Sequence, residues 1–494
     1  MASTKITNFN SLMSPDIRSS NGFARIQHFK VFPHKLVPQF STEADETKTL
    51  SVVKFIYAPW LSTTAFRLWG LGVDIGNSRP GVWFKDSSSD PIGSAWSGPS
   101  SNVASGGARS TDVFFYYKGY LYCFKAGTDL SRYGKIDDTS GASFTDAYQS
   151  ITYTNVAQPV HHPADDCAYF FADNKVYRLN NTTWDGLVLT LPDNMIIASG
   201  SAYGDYLEIS CKSKTGLGDS ITYIWDRDSS LSTVTAKPNW GRGNIVHSAT
   251  LEGVLTVVMD YFTNSALGHT SGKLVVKQLI GGQPKTVAEF PVTATSYFTG
   301  NKFVADEKLH FTFEMARDGG YIHGIWSVDA RGRVEVPASE AETDAITAGL
   351  RYQGIYKTGE YWWIAHSNDG SVNRTNDQNT YSYTSIMETQ ATADGDQSQF
   401  YGAMVPFEPL PSGASVSIYC RKLGTASWGT VMKTVSTVGA TELYVSKDGG
   451  AQAPVFSELQ FRIEATGGAV ITASPERPIE FVSEPNSTKP YGRK

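Results

Sequence analysis

The chain has 494 residues, 40% of them hydrophobic and 12% aromatic, with 45 glycines and only 18% charged residues. That length exceeds one ordinary domain unless a repeat architecture makes a large one, and the balance of Gly and aromatics suits many short strands joined by turns. A formal net charge of −6, with no run of Lys or Arg, argues against a dedicated nucleic-acid surface, which normally needs a basic excess, and leaves room only for local basic patches.

The opening residues MASTKITNFN lack a basic head followed by an apolar core, so no signal peptide is expected, nor any stretch able to span a bilayer. The expected compartment is cytosol-like. Residues 1–50 carry Pro15, Pro33 and Pro38 between isolated apolar anchors such as Phe23, Ile26, Phe29 and Leu36. Proline fixes φ and removes a ladder donor, so an extended arm is expected here, lying on its own domain or on a neighbouring subunit.

From about 51 to 390 the pattern repeats. Strand-like runs include Ser51–Ala58, Ala65–Leu71, Gly81–Asp86, Val113–Phe124, Cys167–Leu179, Gly253–Phe262, Lys273–Ile280, Lys308–Ala316, Tyr321–Asp329, Gly354–Ala365 and Tyr381–Thr389. The clearest example is Ser201–Asp228. There Tyr206–Ser210 alternates apolar and polar residues, a Gly-rich turn follows, and Ile221–Asp226 forms a second run. Alternation at period two predicts one buried face and one wet face. Tyr117-Lys118-Gly119-Tyr120, Ala172-Asp173-Asn174-Lys175, Arg317-Asp318-Gly319-Gly320 and Lys357-Thr358-Gly359-Glu360 carry hairpin turn chemistry.

The second strand of each hairpin recurs at Gly81, Leu121, Val176, Ile221, Lys273, Ile322 and Val372. Intervals of about 40 to 55 residues are those of propeller blades, so an irregular β-propeller of about six to seven blades is expected over 51–390. Apolar content thins through Asn373–Asp396. Beyond it, Ser415–Lys422, Thr441–Ser446, Glu458–Thr466 and Pro478–Ser483 predict a small β-sandwich over 398–486, followed by a polar tail at 487–494.

Chemistry-bearing candidates are few. His161, His162, Asp165 and Asp166 combine imidazole and carboxylate, which would suit a divalent ion, but Pro163 interrupts them and the simpler reading is a polar loop entering a strand. Ser367–Thr375 has part of the aspartate box of sialidase-type propellers, with Ser371 and Val372 where that box has a Thr and an aromatic. No spacing singles out a pair of carboxylates for glycoside hydrolysis. The doublets Phe114-Phe115, Tyr116-Tyr117 and Trp362-Trp363 could stack on sugars. Adjacent strand positions point to opposite faces, however, so they are read as filling the interfaces between blades. Cys123, Cys167, Cys211 and Cys420 form no CxxC pair and are read as small core residues. No catalytic, cofactor-binding or metal residue is expected, and no cofactor.

Two phrases carry a resemblance. The arm ITNFNSLMSPDIRSSNGFARIQHFKVFPHKL, and FEPLPSGASVSIYCRKLGTASWGTV (Phe407–Val431) followed by ELQFRIEATGG (Glu458–Gly468), resemble the opening and the sandwich module of propeller-type tail proteins of tailed bacteriophages. The resemblance implies a non-enzymatic virion component of the nozzle or tail-tip type, assembled in the host cytoplasm as a homo-oligomeric ring about the tail axis. Its implied partners are copies of itself, adaptor and fibre proteins, and genome DNA passing through a lumen. A host-surface glycan recogniser and, more remotely, a propeller glycoside hydrolase are the alternatives.

Overall fold

The computed structural model describes residues 113–125, 129–135, 145–230, 237–261, 271–293, 302–317, 320–339, 352–359, 361–366, 372–375, 384–389, 392–422, 431–446 and 455–485. It also describes the segments 2–6, 23–27, 29–32, 34–38, 42–46, 52–60, 62–74, 79–85 and 96–97 and the single residues 9, 234 and 428. All the described elements are strands. They fall into two compact units, the larger being 43–317 with 343–374 and the smaller 1–42, 318–342 and 375–494.

The larger unit is a β-propeller. Consecutive strands form four-stranded antiparallel meanders. Blade 1 is Val52–Trp60, Ser62–Asp74, Arg79–Lys85 and Trp96–Ser97, and blade 2 is Phe114–Tyr117, Tyr120–Lys125, Asp129–Lys135 and Thr145–Ser150. Blade 3 is Val156–His162, Cys167–Ala172, Lys175–Asn180 and Thr183–Thr190. Blade 4 is Met195–Tyr203, Tyr206–Ser213, Asp219–Trp225 and Asn239–Arg242, and blade 5 is Asn244–Leu251, Val254–Asp260, Ser271–Ile280 and Gln283–Thr293. The hairpin Lys302–Ala305/Lys308–Arg317 occupies the sixth position. Blade 7 combines Tyr352–Thr358, Tyr361–His366 and Val372–Thr375 with Thr42–Glu46 from far upstream.

The first strands of blades lie side by side, blade 2 against 3, 3 against 4, 4 against 5, and the sixth position against 7. The first strand of blade 7 lies against that of blade 1 as well. Side-by-side stacking lets each small sheet hide its faces against its neighbours. Expected turn chemistry is realised: Lys118 and Gly119 take φ of 52° and 87°, the left-handed pair that a tight hairpin of this twist requires.

Alternation along Tyr206–Ser213 does not produce a wet face. Leu207, Ile209 and Cys211 are buried as expected, but Glu208 and Ser210 are buried too, at 3% and 0% exposure. The polar side of the strand is covered by protein instead of water. Ser210 Oγ pairs with Thr222 Oγ1 at 2.8 Å, and Trp240 Nε1 donates to Thr222 Oγ1 at 2.9 Å.

Aromatics fill the seams between blades. Phe115 meets Phe170 edge-on at 5.7 Å between blades 2 and 3. Trp362 and Trp363 point to opposite faces of their strand: Trp362 packs 4.8 Å from His310, and Trp363 packs 6.3 Å from Trp96. The cysteines are free; Cys123, Cys167 and Cys211 are buried and Cys420 half-buried.

The seam between blades 3 and 4 also requires Gly200. A Cβ there would stand 2.6 Å from two ring carbons of the fully buried Phe171 and 3.2 Å from Val160. Gly200→Ala is therefore expected to cost about 1–3 kcal/mol, the penalty of overpacking a filled core. A urea titration reads this as a lowered midpoint; an unchanged midpoint would mean that Phe171 is not packed on this strand.

The smaller unit is a β-sandwich. Its main sheet runs Ala2–Ile6, Ile479–Pro485, Thr392–Pro406, Val455–Thr466, Ser385–Thr389, Phe23–Gln27, with Ser415–Lys422, Lys433–Val435 and Glu442–Ser446 joined to it. A second sheet is Phe29–Phe32, Lys35–Pro38 and Ile471–Thr472. One apolar core takes residues from both, including Phe29, Leu36, Val405, Ile463 and Phe481. The N-terminal arm therefore contributes strands to the chain's own sandwich: Ala2–Ile6 pairs with Ile479–Pro485, and Phe23–Gln27 with Ser385–Thr389. Gly320–Asp329 and Val334–Ser339 form a hairpin within this unit.

Candidate functional site

Among the described residues of the larger unit, a set of buried charged and polar groups lies where blades 4 and 5 meet the sixth position. Four strands supply it. Met195–Tyr203 brings Ser199, Gly200 and Ser201; Asn244–Leu251 brings His247, Ser248 and Thr250; and Lys302 opens Lys302–Ala305. Glu208 comes from the second strand of blade 4, placed opposite Ser201 by the antiparallel register.

Lys302 Nζ donates to Ser199 Oγ at 2.8 Å, to the Gly200 carbonyl at 2.5 Å and to the Ser248 carbonyl at 2.5 Å. An ammonium has three N–H groups, and three oxygens from two neighbouring blades take them. Ser199 Oγ also accepts from the Ser248 backbone N–H at 3.0 Å. Glu208 Oε2 accepts from Ser201 Oγ at 2.7 Å and from Thr250 Oγ1 at 2.5 Å, so this carboxylate likewise bridges two blades.

Burial shapes the protonation of all three titratable groups. It pushes Lys302 down to about 7, against the pull of the Glu208 charge. It raises the Glu208 carboxyl, with the Thr250 and Ser201 hydroxyls and the Lys302 charge working the other way. It drives His247 down to about 3, aided by the Lys302 charge, so His247 is a neutral imidazole. His247 Nε2 and Ser248 Oγ are buried with no hydrogen-bond partner.

Chemically, this arrangement is a strut. Lys302 has spent its donors on main-chain and hydroxyl oxygens, and the hydrogen-bonded oxygen of Glu208 is held by hydroxyls of the protein itself. The sequence offers no direct signal for it. Lys302 lies 54 residues from Ser248 and 102 from Gly200 along the chain. Glu208 is indistinguishable from a solvated strand residue until the neighbouring blade is in place.

The HHPADD cluster also acts as a set of braces. Asp165 accepts from Arg227 at 2.7 Å and from the Tyr169 hydroxyl at 2.5 Å. Burial raises its carboxyl, but these two donors outweigh burial and hold it below the usual range. His162 Nε2 donates to the Tyr206 carbonyl at 3.0 Å, linking blade 3 to blade 4. Asp166 is bonded to Lys118 of blade 2 and, at 2.8 Å, to His161. Among the described residues, no group of three or more His, Cys, Asp or Glu is arranged to hold a metal ion. Of the Ser367–Thr375 segment, Val372–Thr375 is a blade strand and 367–371 lie outside the described residues.

No protein-family model and no curated protein matches the chain. Among solved structures, the chain is similar to BamB from Moraxella catarrhalis, at 12% identity and a TM-score of 0.37 over 70% of this chain and 99% of that one. It is also similar to the exo-β-1,3-galactanase of Phanerochaete chrysosporium, at 11% identity and a TM-score of 0.26 over 95% and 100%. At such identities and scores, neither likeness bears on activity. What the chain establishes by its own strand order is an all-β architecture, with a propeller unit and a sandwich unit.

Proposed function

We propose that this chain is a non-enzymatic structural component of a bacteriophage tail. It assembles as a homo-oligomeric ring of the nozzle or tail-tip type, supports retention or passage of the genome, and carries adaptor or fibre proteins. The observation that supports a bracing role is Lys302, the buried lysine of the strut, whose ammonium donates to three protein oxygens in two blades. The buried Lys302 and Glu208 brace neighbouring sheets, which suits a rigid scaffold. The tail assignment is supported by the arm and by the Phe407–Val431 phrase.

Size-exclusion chromatography with light scattering on the purified chain tests the reading. A particle of many times the 53.9 kDa chain mass is the expected result. A monomer at all concentrations, hydrolysing a polysaccharide with loss of turnover on one carboxylate substitution, would overturn it.

A further inference from the structure

A cavity of about 400 Å³ opens beside blades 3 and 4, away from the Lys302 strut. Its apolar lining is the accessible Pro192 and Val234 over Leu189, Leu191 and Tyr223, each no more than 4% exposed; Thr190, Asp193 and Lys237 also line it, and all three are exposed. The polar groups sit on fixed backbone. Leu191 N–H donates to the Asn174 carbonyl at 2.8 Å, and Met195 N–H closes the following turn on the Pro192 carbonyl at 3.0 Å. The buried Asn174 amide bonds the Leu191 carbonyl at 2.6 Å and Asp193 Oδ1 at 3.2 Å, which orients that carboxylate. On the other side, Thr222 N–H donates to the Pro238 carbonyl at 3.1 Å, tying down the residue next to Lys237. The Lys237 ammonium lies 5.7 Å from the centre of the Tyr223 ring.

A concave lining that mixes apolar side chains with a few polar groups on rigid supports can take a small molecule, and this volume lies within the usual range. The charges narrow the ligand. One ammonium calls for one negative charge. The Asp193 carboxylate would repel a dianion such as phosphate, yet it welcomes hydroxyl donors at Oδ2. Thr190 adds a hydroxyl that can donate or accept. A ligand with one carboxylate, several hydroxyls and an apolar ring face meets all of these demands.

We propose that this cavity binds an acidic sugar, with Lys237 taking the carboxylate, Asp193 accepting ring hydroxyls and Pro192 with Val234 receiving the apolar face. The sugar is either free or the terminal residue of a surface glycan.

Calorimetric titration of the full-length chain with glucuronate, N-acetylneuraminate and glucose is the test. Both acids are expected to bind and glucose is not. Lys237→Ala should weaken the acids about tenfold, the loss of one charge-assisted hydrogen bond. Thr190→Trp, which fills the cavity from its rim, should abolish binding while the melting temperature stays that of the parent chain. An acid-terminated oligosaccharide that binds more tightly than its free sugar identifies a surface glycan; equal affinity identifies the free acid. Binding of glucose as tight as that of the acids, the absence of acid binding, or unchanged affinity in Lys237→Ala would each overturn the proposal. None of these outcomes depends on the chain's assembly state, so the tail reading stands or falls separately.

Discussion

Lowering the pH from 7 to 5 is expected to remove about 4 kcal/mol from the stability of the propeller, through two histidines held neutral by burial. His247 is pushed down to about 3, by burial first and the Lys302 charge second. His310 is pushed down to about 4 by burial, with the Ala305 carbonyl pulling weakly the other way. Each imidazole would titrate near 6.5 in the unfolded chain. Below that pH the unfolded chain takes up two protons that the folded chain refuses, so stability falls as pH drops from 6.5 toward 4 and 3. By pH 5 each site has lost about 2 kcal/mol, since one unit is worth about 1.4. His162, also lowered by burial, acts in the same direction. Glu208 opposes it, because a carboxyl raised in the folded state binds its proton there first. Lys302 adds no slope below about 6, being protonated in both states there, and its own contribution appears as stability gained between about 7 and 10.5. Urea midpoints across this range measure the effect, and His247→Gln and His310→Gln should each flatten the profile. A flat profile between pH 7 and 5 in the parent chain would mean that neither imidazole is buried as described.

Replacing Lys302 with methionine should lower stability by about 3 kcal/mol at pH 6. Methionine keeps much of the volume but has no donor. The Gly200 and Ser248 carbonyls and the Ser199 hydroxyl then lose the partner they share, and a buried acceptor left unpaired costs about 1–3 kcal/mol. Relief of the desolvated ammonium offsets part of that sum. Glu208 loses its neighbouring positive charge and its carboxyl should rise further. Chemical denaturation at constant m-value is the measurement, and the double variant with Glu208→Gln should be less destabilised than the sum of the single ones, because the two charges are coupled. A Lys302→Met protein as stable as the parent would show that the ammonium does not tie these blades together.

Much of the architecture was legible in the chain itself, because turns and seams are local. Lys118-Gly119 announces its hairpin through the backbone it must adopt, and Trp362-Trp363 announces two interfaces because neighbours in a strand face opposite ways. The recurring second strand gave the ring of blades for the same reason. Other features depend on partners remote in sequence. Thr42–Glu46 reads TEADE, with no large apolar residue, and becomes a strand because the ring needs a fourth member for blade 7. The arm strands Ala2–Ile6 and Phe23–Gln27 lie among prolines yet pair with residues hundreds of positions away. Ser385–Thr389 belongs with the sandwich sheet although it lies within the 51–390 stretch expected for the propeller. The candidate site was the least legible part. Period-two alternation marks Glu208 as polar and outward, but it cannot say whether water or another blade covers it. Asp165 and Asp166 drew notice as a cluster, whereas their partners Arg227, Tyr169 and Lys118 are spread over three blades.

Electron microscopy of the assembled particle, with this chain located in the map, tests the central claim most directly. The tail-scaffold account predicts several copies in a closed ring about an axial opening, each showing a propeller of seven positions and a separate sandwich. Isolated single chains, or a particle in which the chain sits away from any symmetry axis, would contradict it.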